Sequence, residues 1–254
     1  MKWRLLREAA TDPAANLAVE EAIVRSRRDD RCVDTLRVWR NNRSVILGCH
    51  SNVRDEVDLE VCDRMGIKIL RRISGGGAVY HDLGNVNYSI IMKERSRICH
   101  DVLEAYRECS TAVLRALTLL GISGEFVEPN AIFSCGKKIA GMAQHRFYDV
   151  LLVHGTLLVN SDLGALSKVL LRPRHEVTNI SVHLPRCVPE ENVEDAIIAG
   201  FRETFKADLD FGELSPYETE IAHKLAAMKY RAENWNTGID RMLRIEDISN
   251  LDIV

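Results

Sequence analysis

Two stretches of this sequence carry residues whose types and spacing suit chemistry on a phosphate and on an acyl group. The first is Arg71-Arg72-Ile73-Ser74-Gly75-Gly76-Gly77-Ala78-Val79-Tyr80-His81-Asp82. Three consecutive glycines cost backbone entropy that a simple turn does not require. They leave bare main chain against which a ligand can lie, and exposed amides in such a loop form a nest for an anion. The arginine pair just before them adds fixed positive charge suited to a phosphate. The pattern is neither Gly-x-Gly-x-x-Gly nor a P-loop: no Lys-Ser/Thr follows, and the next residues read as a strand. On the glycines alone, a tight loop between two strands explains the segment equally well. The arginines and His81-Asp82 turn the reading towards a binding loop.

The second stretch runs from Asn130 to Gln144, with Gly136-Lys137-Lys138-Ile139-Ala140-Gly141 at its centre. Cys135-Gly136 reads as a hairpin turn between two strands. Strand alternation sends Lys137 and Lys138 to opposite faces, so at most one serves a cleft. Ala140, Gly141 and Ala143 follow, small residues that leave room for something bulky. A lysine beside such a cleft holds a carboxylate or phosphate as a compact point charge. It also stabilises charge that develops during acyl transfer. For two lysines taken alone, a solvated hairpin pair is the plainer reading. His154-Gly155-Thr156 falls in the next strand, and a hairpin partner could bring it near Lys138. A lone strand histidine is as a rule a hydrogen-bonded structural residue.

These residues need a scaffold, and the sequence outlines one. Asp12-Pro13 opens a helix, aspartate as cap and proline in the first turn. Strands are expected over Thr35 to Trp39, Ser44 to Gly48, Ile67 to Arg72, Ala78 to Tyr80 and Val86 to Met92. Val57, Val61 and Met65 space out one helix from Asp55 to Met65, stopped by Gly66. An amphipathic helix carries Val102, Tyr106, Val113 and Leu117 and closes at Gly121. Strand-like pieces follow at Gly124 to Val127, Lys138 to Arg146 and Val150 to Val159. Helices then cover Leu163 to Leu170, the stretch after Pro189, and the segment opened by the capping box Ser215-Pro216-Tyr217-Glu218. Neighbouring strands joined by short turns predict an α+β fold with a mixed, mainly antiparallel sheet and packed helices.

The chain has 254 residues, 46% hydrophobic, with a formal net charge of −3. That length supports a large core. Without an excess of Lys and Arg, a broad nucleic-acid surface is not expected. No apolar run approaches the ~20 residues of a membrane span. Cys32, Cys49, Cys62, Cys99, Cys109, Cys135 and Cys187 show no Cys-x-x-Cys spacing, and no metal ligand set is assigned. With no hydrophobic leader at the start, a reducing, cytoplasmic setting is expected.

Taken together, the segments resemble the lipoate–protein ligase A and octanoyltransferase family. Asn16 to Glu21 resembles its first helix, and Arg71 to Asn87 matches its glycine loop almost letter for letter. Gly136 to Gly141 resembles its lysine motif, His154 to Leu158 and Val177 to Asn179 follow in order, and Trp235-Asn236-x-Gly238 resembles the end of its catalytic domain. The resemblance implies a biotin/lipoate ligase-type catalytic domain, similar to class II aminoacyl-tRNA synthetases, over residues 1–254. It implies an enzyme that joins lipoate to ATP as lipoyl-AMP, with Mg²⁺, and passes the lipoyl group to a lysine of carrier domains. Those carriers are the acyltransferase subunits of 2-oxoacid dehydrogenases and the glycine-cleavage H protein. Lys138 is then the catalytic residue, bridging lipoyl carbonyl and adenylate phosphate. ATP and adenylate contacts are implied for Arg72, Ser74, Gly75, Gly76, Gly77, Ala78, Val79, Tyr80, His81 and Asn130. Lipoate contacts are implied for Lys138, Gly141, His154 and Gly155.

Three features depart from the family pattern. Ala131 stands where the family has aspartate, Glu176 where an arginine is common, and only about sixteen residues follow the Trp-Asn segment. Some relatives supply a C-terminal accessory domain as a separate protein, so a second subunit is expected. The alternatives are a transferase acting through a cysteine thioester, for which Cys135 is the nearby thiol, a biotin-type ligase, and an inactive lipoate-binding relative.

Overall fold

The structure is a computed structural model that describes residues 2–93, 101–184 and 189–238. Cys99, Cys187 and the segment after Gly238 lie outside the described residues. In chain order the elements are β1 (Lys2–Arg7), α1 (Pro13–Arg28), β2 (Thr35–Trp39), β3 (Ser44–Leu47), α2 (Val53–Glu56), α3 (Leu59–Arg64), β4 (Lys68–Arg71), β5 (Val79–His81) and β6 (Asn85–Lys93). Then come α4 (Val102–Leu119), β7 (Glu125–Val127), β8 (Ala131–Ser134), β9 (Lys137–Phe147), β10 (Val150–Leu158), α5 (Leu163–Val169), α6 (Glu190–Phe205), β11 (Asp208–Phe211), α7 (Pro216–Leu225) and α8 (Glu233–Asn236).

The helix starts are those the sequence signals. Asp12 accepts from the Ala14 amide ahead of Pro13. Ser215 and Glu218 form the reciprocal capping box of α7. The single helix expected from Asp55 to Met65 is instead two short ones. Val57 is extended and bridges Leu170, and the Asp58 side chain caps a new start at the Val61 amide. A capping aspartate in mid-run breaks the backbone ladder that a four-residue apolar spacing suggests.

Eight strands form the main sheet in the order β11-β1-β2-β6-β10-β9-β8-β7. β1 runs parallel to both β11 and β2, and the remaining pairs are antiparallel. A small sheet β4-β3-β5 stands beside it and carries the glycine loop between β4 and β5. Helices α4 and α6 cover one face of the main sheet, burying Tyr88, Ile90, Val153 and Phe201. On the other face α1 and α7 bury Ile91, Val150 and Leu152. α3 and α5 pack with the small sheet around Val45, Leu47, Tyr80 and Val169.

Register places the functional rows. His154 lies between Ser89 and Ala143, and Ser89 lies opposite Arg37. One pair further on, Thr156 lies between Asn87 and Gly141, and Gly141 lies opposite Ala131. With a period of two, these residues share the α1 face of the sheet.

Candidate active site

The glycine loop is built around two buried arginines, 5% exposed each, and neither has a carboxylate partner among the described residues. Arg72 donates through Nε to Ser74 Oγ (2.9 Å), through Nη1 to Ile46 O (3.0 Å), and through Nη2 to Gly75 O (2.6 Å) and Gly77 O (3.0 Å). Burial pulls its pKa down to about 10, so it still carries its charge at neutral pH. The resemblance places Arg72 on a nucleotide phosphate. In this structure its N–H groups shape the loop, and its charge stands behind it. Gly76 adopts φ +92°, a conformation in which a side chain would be strained. The Ala78 amide donates to the carboxylate of Glu56.

Two hydrogen-bonded chains fasten this loop to the sheet. In the first, Ser74 Oγ lies 2.6 Å from His154 Nε2, and His154 Nδ1 lies 2.9 Å from both carboxylate oxygens of Glu20. Ser89 donates to Glu20 (2.6 Å), and Trp39 Nε1 donates to Ser89 (2.9 Å). Burial alone would raise the pKa of Glu20. The His154 ring and the Ser89 hydroxyl outweigh it and hold the carboxyl below its ordinary range. Glu20 takes the hydrogen bond of the His154 Nδ1–H, and Nε2 meets the Ser74 hydroxyl. The trio has the composition of a nucleophile triad, but Ser74 has no exposed surface and its Oγ already accepts from Arg72. It is a strap between loop and sheet.

In the second chain Asn41 Nδ2 lies 3.1 Å from His81 Nδ1 and His81 Nε2 lies 2.9 Å from Thr156 Oγ1, which donates to Asn87 Oδ1 at 2.7 Å. An amide nitrogen only donates, so Nδ1 accepts and Nε2 carries the hydrogen. Burial, reinforced by Arg72, pushes His81 down to about 3. A folded pKa below the unfolded value means that the unfolded chain binds the extra proton. Stability from this group is therefore complete above about 6.5 and is lost as pH falls towards 3. Unfolding curves across that window are expected to show a shallower acid slope for His81→Asn than for the parent protein. Equal slopes would remove His81 from the acid transition.

Lys138 sits at the start of β9. Its amide donates to Glu176 O (2.9 Å), and its carbonyl accepts from Thr178 N (3.0 Å), so residues 176–178 run alongside the strand. Lys137 takes the opposite side and pairs with Glu176 (2.5 Å). Among the described residues nothing pairs with the Lys138 ammonium. Burial, then Arg174, lowers its pKa. The side chain lies over Gly141, where a Cβ would come within 3.0 Å of Nζ and 3.1 Å of Cε. Gly141→Ala is expected to push aside the flexible end of the lysine and lower turnover by roughly 10- to 100-fold with little change in stability. An unchanged rate would mean that the position of Nζ is not critical.

The other predicted residues are spread around the two sheets, and Gly155 and Tyr80 face away from this floor. Asn130 Nδ2 donates to Met142 O at 2.6 Å, pinning the β8–β9 hairpin next to buried Ala131. Gly155 has a packing reason: a Cβ there would lie 2.3 Å from Tyr88 Oη. Gly75 has open space beside it, Val79 is partly buried, and Tyr80 is buried with its hydroxyl accepting from Arg43 Nε (3.3 Å). Among the described residues Asn87 Nδ2 is buried without a hydrogen-bond partner, a donor left over on the row of Thr156 and Gly141. Cys135 is exposed and, with Gly136, forms a two-residue turn at positive φ (49° and 76°). Glu20, Ser89, Asn87 and Glu56 were not anticipated from the sequence. The one available signal was Glu20-Glu21, two acids inside the apolar stripe of a helix.

Among the described residues no group of three metal-ligating side chains occurs, and no helix is long and apolar enough to cross a membrane.

A glycine loop backed by buried Arg72, and a lysine over small residues with no ion-pair partner among the described residues, make a site suited to an anion. The comparisons with known proteins agree. Residues 12–202 match the family model described as lipoyl protein ligase A/B catalytic domain, and this chain belongs to that family. Lipoate-protein ligase A subunit 1 of Thermoplasma acidophilum is 34% identical, covering 93% of this chain and 97% of that protein. The octanoyltransferase LipM of Kyrpidia tusciae is 32% identical over 92% of this chain and 98% of its own. Among solved structures, a putative lipoate protein ligase of T. acidophilum with bound lipoic acid superposes with a TM-score of 0.84 (34% identity; 94% of this chain, 100% of that one). A lipoate-protein ligase A bound with ATP gives a TM-score of 0.86 (33% identity; 94% and 100%). A structure described as a bi-partite lipoate protein ligase and its E2 lipoyl domain, also from T. acidophilum, gives 0.83 (32% identity; 94% and 97%).

Proposed function

We propose that this protein is a lipoate–protein ligase that activates lipoate with ATP and passes the lipoyl group to a lysine of a carrier domain. The observation that carries this reading is Lys138. Its half-buried ammonium has no protein partner among the described residues and lies over Gly141, one strand from Thr156, which His81 of the glycine loop contacts. A desolvated, unpaired cation is costly unless a ligand anion completes it.

In the first step a lipoate carboxylate oxygen attacks the α-phosphorus. The bond from that phosphorus to the bridging oxygen breaks, and pyrophosphate leaves with the electron pair. In the second, the carrier amine attacks the acyl carbon, the acyl–oxygen bond breaks, AMP leaves with that pair, and the amine loses its proton. Both steps gather negative charge where Lys138 stabilises it. Gly141, Ala143 and Ala131 leave a floor for the alkyl chain, with His154 beyond. Arg72 lends charge to the loop whose amides receive the nucleotide. Mg²⁺ would enter with the triphosphate, since Ala131 offers no donor and one or two carboxylates with the phosphates suffice for that ion. The carriers are lipoyl domains of 2-oxoacid dehydrogenases and the H protein. The name of the Thermoplasma relative, subunit 1, supports a second polypeptide as a partner in activation.

The test mixes the chain, lipoate, Mg·ATP and an apo lipoyl domain, with and without that second subunit, and weighs the carrier by mass spectrometry. ATP-dependent lipoylation is expected. Acyl transfer from an octanoyl carrier protein without ATP would overturn the ligase reading in favour of a thioester transferase. Cys135→Ala is expected to leave the rate unchanged, because Cys135 serves as a turn residue; loss of activity would make it the nucleophile.

A further inference from the structure

The amide of Ala78, in the loop that the ligase reading gives to the nucleotide, already donates to a carboxylate. Glu56, the last residue of α2, places its carboxylate on the N–H of Ala78. Oε2 comes within 3.2 Å of where a Cβ on Gly77 would stand, so a side chain at Gly77 would crowd it. Glu56 is partly exposed, and among the described residues no ion pair engages it. The N–H groups of the nearby Arg72 point instead to Ser74, Ile46, Gly75 and Gly77. The main-chain carbonyl of Glu56 accepts from Leu171 N at 3.0 Å, tying α2 to the segment that leads to Arg172, Arg174 and Glu176 beside Lys138.

A carboxylate on a loop amide, with Arg71 and Arg72 in electrostatic range but no ion pair among the described residues, has the chemistry of an anion in a nest. We propose that Glu56 is an internal stand-in for a nucleotide phosphate: it keeps the Ala78 amide aimed and gives way when the phosphate arrives. The inference rests on the ligase reading, which supplies the nucleotide. Glu56 is a positioning residue that sets the affinity for ATP through competition. Two negative groups cannot share one N–H, and at a few ångströms in a partly buried setting their repulsion is large enough to matter.

The experiment measures ATP and adenosine binding by calorimetry for the full chain, Glu56→Ala and Glu56→Gln, in EDTA and in Mg²⁺. Glu56→Gln keeps a hydrogen-bonding group of the same size and guards against loss of fold. In EDTA, Glu56→Ala is expected to bind ATP on the order of tenfold more tightly. Glu56→Gln should gain less, and adenosine affinity should not move. Equal or weaker ATP binding by both variants in EDTA would overturn the proposal. Weaker binding by both in Mg²⁺, with no gain in EDTA, would instead make Glu56 a ligand of the metal. If the parent chain binds no ATP with or without the second subunit, both the ligase reading and the competition are overturned.

Discussion

Lys138→Ala is expected to cut ATP-dependent lipoylation of a carrier lysine by about a hundred- to a thousandfold, the range found when a donor to a developing charge is removed. Stability should not fall with it. The side chain is half-buried, its pKa is lowered by desolvation, and no partner among the described residues is orphaned by its removal. Lys138→Arg should not restore the rate, because a planar guanidinium does not replace a compact charge seated over Gly141. The pH dependence has a definite sign. Activity that needs the ammonium is lost as pH rises through a pKa below the ordinary 10.5 of lysine, so the alkaline limb falls early. The decisive readout is single-turnover adenylate formation alongside a melting curve. A near-normal single-turnover rate in Lys138→Ala would remove the residue from the chemistry, and a collapsed melting curve would make it structural.

Arg71→Ala is expected to have the largest effect on stability. The guanidinium donates to Gly48 O (2.8 Å), Ser51 O (2.7 Å), Trp235 O (2.9 Å) and Asn236 O (3.1 Å). The main chain joins in: Arg71 N donates to Asn236 Oδ1 at 3.0 Å, and Trp235 Nε1 donates to Arg71 O at 2.8 Å. Truncation strands several buried carbonyls at once, at a cost of roughly 3 kcal/mol or more. Lysine offers one point of contact and should recover little. Urea unfolding would show a lower midpoint, and protease would cut near Trp235 sooner. A variant with the parent midpoint and cleavage rate would show that this clamp carries no weight. Lys229 adds to the same anchorage: it pairs with buried Glu21 at 2.7 Å and lies 4.1 Å from the Trp235 ring centre.

Local signals in the sequence located most elements. Asp12-Pro13, the Ser215 capping box and the Cys135-Gly136 turn act within a few residues, and each is where the chain chemistry puts it. What was illegible is non-local. β1 and β11 carry alternating charges and pair in parallel across the length of the chain, so neither shows a hairpin partner. Glu20 is an acid inside an apolar helix stripe with no visible reason until His154, 134 positions away, is placed against it. Likewise the two arginines announce positive charge, but only the fold shows that Arg71 holds Trp235 and Asn236 while Arg72 holds the loop.

The parallel pairing of β1 with β11 also bears on how the chain is made. β1 pairs through residues 2–5 and its outer partner through residues 208–211. On a ribosome moving at ~5–20 residues per second, the edge of the first strand waits on the order of 10–40 s for its neighbour. Throughout that interval it offers unpaired N–H and C=O groups beside the buried side chains of Trp3 and Leu5. The nascent protein is therefore most open to edge-to-edge association before β11 emerges, and a chaperone that shields the first strand would raise its yield.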